Sequence, residues 1–151
     1  MSRPDLAKLG AVYPPYLSAI VLHGLATAQA VGLGPTDLYA VGTLAFYGRM
    51  TSGELAAKTG LTTGATTRLI DRLEQHGLVR RVTDPLDRRR VLVEALEDNE
   101  IELDAALAPA REKLGAVFAD CSPAEIAVLT EHFERATPAF HEAIETIRDT
   151  R

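Results

Sequence analysis

TSGELAAKTGLTTGATTRLIDRLEQHGLVRRVTDPLDRRRVLVEAL, residues 51–96, is the stretch that decides the fold. It opens on Thr51-Ser52-Gly53-Glu54, a capping box in which the Thr51 hydroxyl accepts from the Glu54 N–H and the Glu54 carboxylate reaches back. A short helix is predicted over Gly53–Thr59, with Gly60 as its C-terminal cap. Thr62 caps the next helix, which runs to about His76 and buries Leu69, Ile70 and Leu73. Gly77 ends it. Two β-rich runs follow, Leu78–Val82 and Val91–Leu96, separated by the turn Asp84-Pro85-Leu86-Asp87. Two short helices across a tight Gly60-Leu61-Thr62 connection, then a hairpin, make a helix-turn-helix with a wing.

The flanks read as helices. From Val12 to Ala30, Leu17, Ile20, Val21, Leu25 and Ala28 recur at helical spacing, with Pro14 and Pro15 expected near the start, where proline is tolerated. Met1 to about Lys8 reads as a loose tail. Pro35 opens a helix to about Tyr47, apolar through Leu38, Val41, Leu44 and Ala45, and Gly48 closes it. Leu103, Leu107, Ala110, Leu114 and Val117 mark a helix with Pro109 inside it, which is expected to kink it. Ser122-Pro123-Ala124-Glu125 is a second capping box. Ile126, Leu129, Phe133, Ala136, Phe140, Ile144 and Ile147 form the apolar face of a long last helix, which Pro138 is expected to bend. The fold class is mainly α with a small β-wing.

The 151 residues suit a single-domain length, and 46% hydrophobic with 25% charged content is ordinary for a globular chain. The aromatic share is 5% and there is no Trp, which favours helix-on-helix packing over a β-sandwich. Cys121 is the only cysteine, so no internal disulfide forms and a reducing compartment fits. No stretch approaches the roughly 18 apolar residues of a membrane span, and no signal-like run follows Met1. A cytoplasmic location and no membrane partner are therefore expected.

A net charge of -5 argues mildly against nucleic acid, but the distribution of that charge points the other way. Arg68, Arg72, Arg80, Arg81, Arg88, Arg89 and Arg90 crowd one segment, whereas Glu94, Glu97, Asp98, Glu100, Glu102 and Asp104 make the next acidic. Screening makes charge act locally, so a basic patch on an acidic body still binds phosphate. The helix capped by Thr62 offers Thr63, Gly64, Thr67, Arg68, Asp71 and Arg72 on its outer face. Such a helix enters the major groove with its N-terminal residues nearest the bases. Thr63 and Thr67 supply hydroxyls, Arg68 a bidentate donor for guanine, and Gly64 room for close backbone approach. The wing arginines suit a narrow minor groove, with Asp87 as a brace for one of them.

These residues carry a resemblance. Thr51–Ala56, Thr66–Glu74, Gly77–Arg81 and Asp84–Arg90, with the flanking helices in order, resemble the multiple-antibiotic-resistance regulator (MarR) family of bacterial transcription factors. The most specific piece is Asp-x-Arg at Asp87 and Arg89. After the second wing strand, many relatives carry Thr and Gly where this chain has 96–100, Leu-Glu-Asp-Asn-Glu. The resemblance implies a homodimer built by the first and last two helices: 1–34 as tail and first dimerisation helix, 35–97 as the DNA-binding domain, and 98–151 as the C-terminal dimerisation helices. It implies a sequence-specific regulator, a repressor on a palindromic operator, with Arg89 in the minor groove, Asp87 as its brace, and Thr63, Thr67 and Arg68 as groove contacts. Thr62, Gly64, Arg72, Arg88 and Arg90 complete the expected DNA-facing set.

The resemblance also implies release by a small aromatic or phenolic effector. The candidate lining is Tyr16, Ile20 and His23 on the first helix with Tyr39 and Phe46 on the second; His23 is placed to pair with a carboxylate. The alternative is that these side chains pack a core or a dimer interface. No cofactor is expected. His132 and His141 are nine apart in the numbering and lack a cysteine partner, so no metal site is expected. Cys121 is expected to be inert. No catalytic triad, phosphate loop or carboxylate pair stands out, which leaves a winged-helix protein-interaction module as the alternative to a DNA-binding one.

Overall fold

The computed structural model describes residues 3–96 and 100–150. Helix α1 spans Arg3–Ala30 and α2 spans Pro35–Tyr47; the short strand β1 (Met50–Thr51) leads into α3 (Ser52–Thr59) and α4 (Thr63–Gln75). Strands β2 (Val79–Thr83) and β3 (Val91–Ala95) form the wing, and α5 (Glu100–Ala119) and α6 (Pro123–Asp149) complete the chain. Met1–Leu107 form one compact unit and Ala108–Arg151 a second.

The core of the first unit is the winged domain. Ala40, Val41 and Leu44 of α2 meet Met50, Leu55, Leu69, Ile70, Leu73, Val79 and Val93, all buried. Leu69, Ile70 and Leu73 are the face expected from their spacing. On α2 the buried face is rotated from the expected one: Ala40 and Thr43 are buried beside Val41 and Leu44, and Ala45 is exposed. The Thr43 hydroxyl donates to the Tyr39 carbonyl, which lets a polar side chain sit inside.

Local signals set the element ends. The Thr51 hydroxyl accepts from Glu54 N–H at 3.2 Å, and Thr51 N–H donates to Glu54 Oε2 at 2.7 Å. Ser122 and Glu125 repeat this arrangement at the start of α6. Gly60 follows α3 at φ +72°, a left-handed conformation that a residue with a Cβ adopts only at a cost. At the end of α4, Leu78 N–H donates to Leu73 C=O and Gly77 N–H to Glu74 C=O, the paired bonds of a Schellman motif that turns the chain into β2.

Hydrogen bonds from the Thr51 backbone and hydroxyl hold the Glu54 carboxyl below the usual glutamate range. A depressed folded value means that the cap's contribution is complete above the ordinary glutamate pKa and is lost as pH falls through the folded value. Glu54→Gln keeps an acceptor but removes the titration. Thermal melts from about pH 6 to about pH 3 should show wild type losing more stability than Glu54→Gln. Parallel curves would show that the box does not contribute to the acid response.

Several expectations are corrected. The loose tail is helical from Arg3, so Pro14 and Pro15 lie inside α1 and not near its start. Leu6 and Leu9 continue the apolar spacing, and Ala7, Lys8 and Ala11 are good helix formers. With that extension, Leu6–Ala30 is long and apolar enough to cross a membrane by length and composition alone, contrary to the shorter run expected. The sheet has three antiparallel strands in the order β1-β3-β2, not two. Met50 pairs with Val93 and Thr51 with Leu92; a two-residue strand is too short to show an alternating pattern. Most of the acidic run expected after β3, 97–102, has side chains outside the described residues.

In the second unit, α5 passes through Pro109 and α6 through Pro138. Val117, Phe118, Phe133, Phe140, Ile144 and Ile147 are exposed in the isolated chain, as are Leu9, Val12, Ile20, Val21 and Leu22 on α1.

Candidate nucleic-acid interface

Helix α4 presents its first turn to solvent. Thr62 is the N-cap, its hydroxyl oxygen accepting from Ala65 N–H at 3.3 Å. Thr63, Gly64, Thr67 and Arg68 are exposed, while Thr66 is buried and its hydroxyl donates to Thr62 C=O. The Thr67 hydroxyl donates to Thr63 C=O at 3.0 Å. Its proton is thus engaged, and its lone pairs remain available to accept from a base amino group. The protons of the Thr62 and Thr63 hydroxyls, by contrast, are given to no acceptor among the described residues.

The clustered arginines divide into two sets. Arg72 donates from Nε and NH2 to both oxygens of Asp37, at 2.8 and 2.6 Å. Asp37 is 4% exposed, so this fork ties α4 to the first turn of α2. The hydrogen bond and then the charge of Asp37 raise the Arg72 pKa. Arg72, expected among the DNA-facing residues, therefore has its guanidinium committed to the fold. Arg80 pairs with Glu94, its cross-strand neighbour, at 2.7 Å. Arg81 binds Asp71 at 2.7 Å and also Glu74, joining β2 to α4.

The second set remains open. Among the described residues, Arg68 and Arg88 have no ion pair. Arg90 makes only long contacts, 3.8 Å to Glu54 and 3.9 Å to Asp84. Arg89 is 91% exposed in its side chain and touches Asp87 at 3.4 Å. Asp87 braces the backbone as well, accepting from Arg89 N–H at 3.0 Å through Oδ1 and from Arg90 N–H at 2.9 Å through its carbonyl. Asp84, which sequence reasoning missed, is buried and accepts from Leu86 N–H at 2.8 Å. The Asp-Pro pair was a turn signal; that the carboxylate folds inward to hold the tip was not legible.

Residues 31–90 match the model of the MarR family. The chain is similar to the uncharacterized HTH-type transcriptional regulator YcgE of Bacillus subtilis (strain 168), 38% identical over 148 residues, covering 97% of this chain and 96% of that protein. The chain belongs to the MarR family. It is also similar to the HTH-type transcriptional repressor MdtR of Bacillus subtilis (strain 168), 27% identical over 84 residues, covering 56% of this chain and 54% of that protein. Among solved structures, a MarR family protein from Bacillus stearothermophilus superimposes with a TM-score of 0.63 at 29% identity, covering 95% of this chain and 98% of that one. Members of the MarR family are DNA-binding transcriptional regulators that act as dimers, and not enzymes.

Gly64 is the unusual member of the exposed turn. A Cβ built there meets nothing within 4 Å, and its φ is ordinary. Nothing within the protomer therefore requires glycine. Gly64→Ala should raise stability by up to about 1 kcal/mol through helix propensity. If the backbone of α4 approaches DNA at this point, the same change weakens DNA binding. Opposite movement of the melting temperature and of duplex affinity is the expected pair of results; unchanged affinity would show that Gly64 is not at the contact.

A cleft of about 670 Å³ lies between α1 and α2, and Leu103 and Leu107 also line it. Of the five residues expected to line it, Ile20, His23, Tyr39 and Phe46 do, and Tyr16 does not. Tyr16 lies one turn before Ile20 on α1 and is exposed. Thr27, Thr43 and Tyr47 add polar atoms that the apolar spacing could not reveal.

Proposed function

We propose that this protein is a homodimeric, sequence-specific DNA-binding repressor acting on a palindromic operator in the cytoplasm. The observation that carries this reading is the sorting of the arginines: beside the open first turn of α4, Arg68 and Arg88 carry no ion pair among the described residues and Arg89 and Arg90 only long ones, while Arg72, Arg80 and Arg81 are held by close pairs to Asp37, Glu94 and Asp71. Thr62, Thr63, Gly64, Thr67 and Arg68 read the major groove. Arg89, braced by Asp87 and flanked by Arg88 and Arg90, enters the minor groove, where narrow A·T tracts concentrate negative potential. The exposed apolar faces of α1, α5 and α6 are the surface a second copy covers, dividing the chain into helices for pairing (1–34 and 98–151) and a reading domain (35–97). Two-fold symmetry sets the recognition helices about 34 Å apart and matches a palindrome. Repression is supported by the likeness to MdtR.

The cleft between α1 and α2 takes a small aromatic acid: apolar walls cover the ring, and His23 pairs with the carboxylate. Occupation releases DNA.

Sedimentation should give twice the chain mass. Fluorescence anisotropy with duplexes tiled from the DNA upstream of the gene should find binding that weakens steeply between about 50 and 200 mM salt. A monomer, or no duplex bound at low salt, would refute the reading.

A further inference from the structure

We propose that Leu86, at the wing tip, is an apolar contact to the deoxyribose walls of the DNA minor groove and fixes how deeply Arg89 is seated; this rests on the DNA-binding reading above. Leu86 is 94% exposed, the most exposed of the large apolar side chains among the described residues. A lone exposed leucine is ordinary on a surface. The setting of this one is not.

The tip is fixed before any partner arrives. Leu86 N–H donates to the buried Asp84 carboxylate at 2.8 Å, Asp84 N–H to Arg90 C=O at 3.0 Å, and Arg90 N–H to Asp87 C=O at 2.9 Å. Pro85 restricts the residue before it and its own φ. A side chain on such a turn loses little backbone freedom on docking.

The surroundings select the partner. Leu86 is followed by Asp87 and then by Arg88, Arg89 and Arg90, with the Arg89 side chain 91% exposed. A matching surface must be apolar at its centre and anionic at its rims. The minor groove has this pattern: sugar edges form its walls and phosphates border it. An apolar protein patch would strip water from three arginines without replacing it. The contact adds no charge, so it adds affinity without adding salt dependence.

The test uses the full chain with Leu86→Ala and Leu86→Met, on the tightest upstream duplex bound by wild type. Leu86→Ala should weaken binding about five- to tenfold with an unchanged salt slope, and hydroxyl-radical protection should fade at the outer sugars and persist elsewhere. Leu86→Met should restore both affinity and protection. The melting temperature should not move, because Leu86 is 94% exposed and buries almost nothing in the protomer. Wild-type affinity and footprint in Leu86→Ala would overturn the proposal, leaving the tip free for a protein partner. If wild type bound no duplex at all, the DNA-binding reading would fall first, and the two failures are thereby separated.

Discussion

Arg72→Ala is expected to lower the free energy of unfolding by about 2–3 kcal/mol, below the 3–5 typical of broken buried pairs because the arginine itself is half open to water. For a chain of this size that is a fall of roughly 5–10 °C in melting temperature. The loss comes from the carboxylate left behind. Asp37 has a side chain 6% exposed, whereas that of Arg72 is 49% exposed. Without the guanidinium, Asp37 is a nearly dry charge that has lost its counter-ion. Asp37→Ala leaves an arginine that water can reach, so its cost should be smaller, about 1 kcal/mol. Chemical denaturation of both variants checks the asymmetry. Equal costs, or a loss below about 0.5 kcal/mol in Arg72→Ala, would show that the fork contributes little.

The largest functional effect is expected from replacing Arg88, Arg89 and Arg90 together by Ala. Operator affinity should fall by at least about a hundredfold, with charge-assisted contacts worth roughly 1.5–3 kcal/mol each. The slope of log affinity against log salt should drop by about 0.9 for each phosphate contact removed, so by about 5 if every wing arginine of a dimer engages phosphate. Arg80→Ala is the matched control. It removes the same kind of charge from the same hairpin, but its guanidinium is held by Glu94 at 2.7 Å. It should change affinity by less than about threefold. Loss of binding in Arg80→Ala as severe as in the triple variant would mean that net charge, not the availability of particular arginines, governs the interface.

That contrast also shows where sequence reasoning stops. Capping boxes at Thr51 and Ser122, the glycine stops and the apolar face of α4 were legible because each is written within a few residues of chain. The arginine cluster was legible as a cluster. Its division was not, because the partner of Arg72 lies 35 residues away at Asp37, which by itself looks like an ordinary acidic residue at a helix start. Arg81 likewise owes its placement to Asp71 and Glu74 on the preceding helix. The extension of α1 was missed because two prolines read as a boundary. Four of the five residues expected at the cleft do line it, since aromatic and aliphatic residues on adjoining helices face one another by period alone; Tyr16 required the crossing geometry.

Strand β1 binds the wing to the helices. Thr51 is at once the last residue of that strand, paired with Leu92, and the N-cap of α3. The hairpin is thus fastened at its root to the helix-turn-helix, and Arg81 fastens it again to α4. On the proposed DNA-binding reading, the wing and α4 work like the two jaws of a fixed caliper. Adding one base pair between their contact points would move the second by about 3.4 Å along the axis and turn it by about 35°. A fixed caliper would not follow that step, so on this reading spacing within each half-site becomes a criterion of recognition alongside the bases.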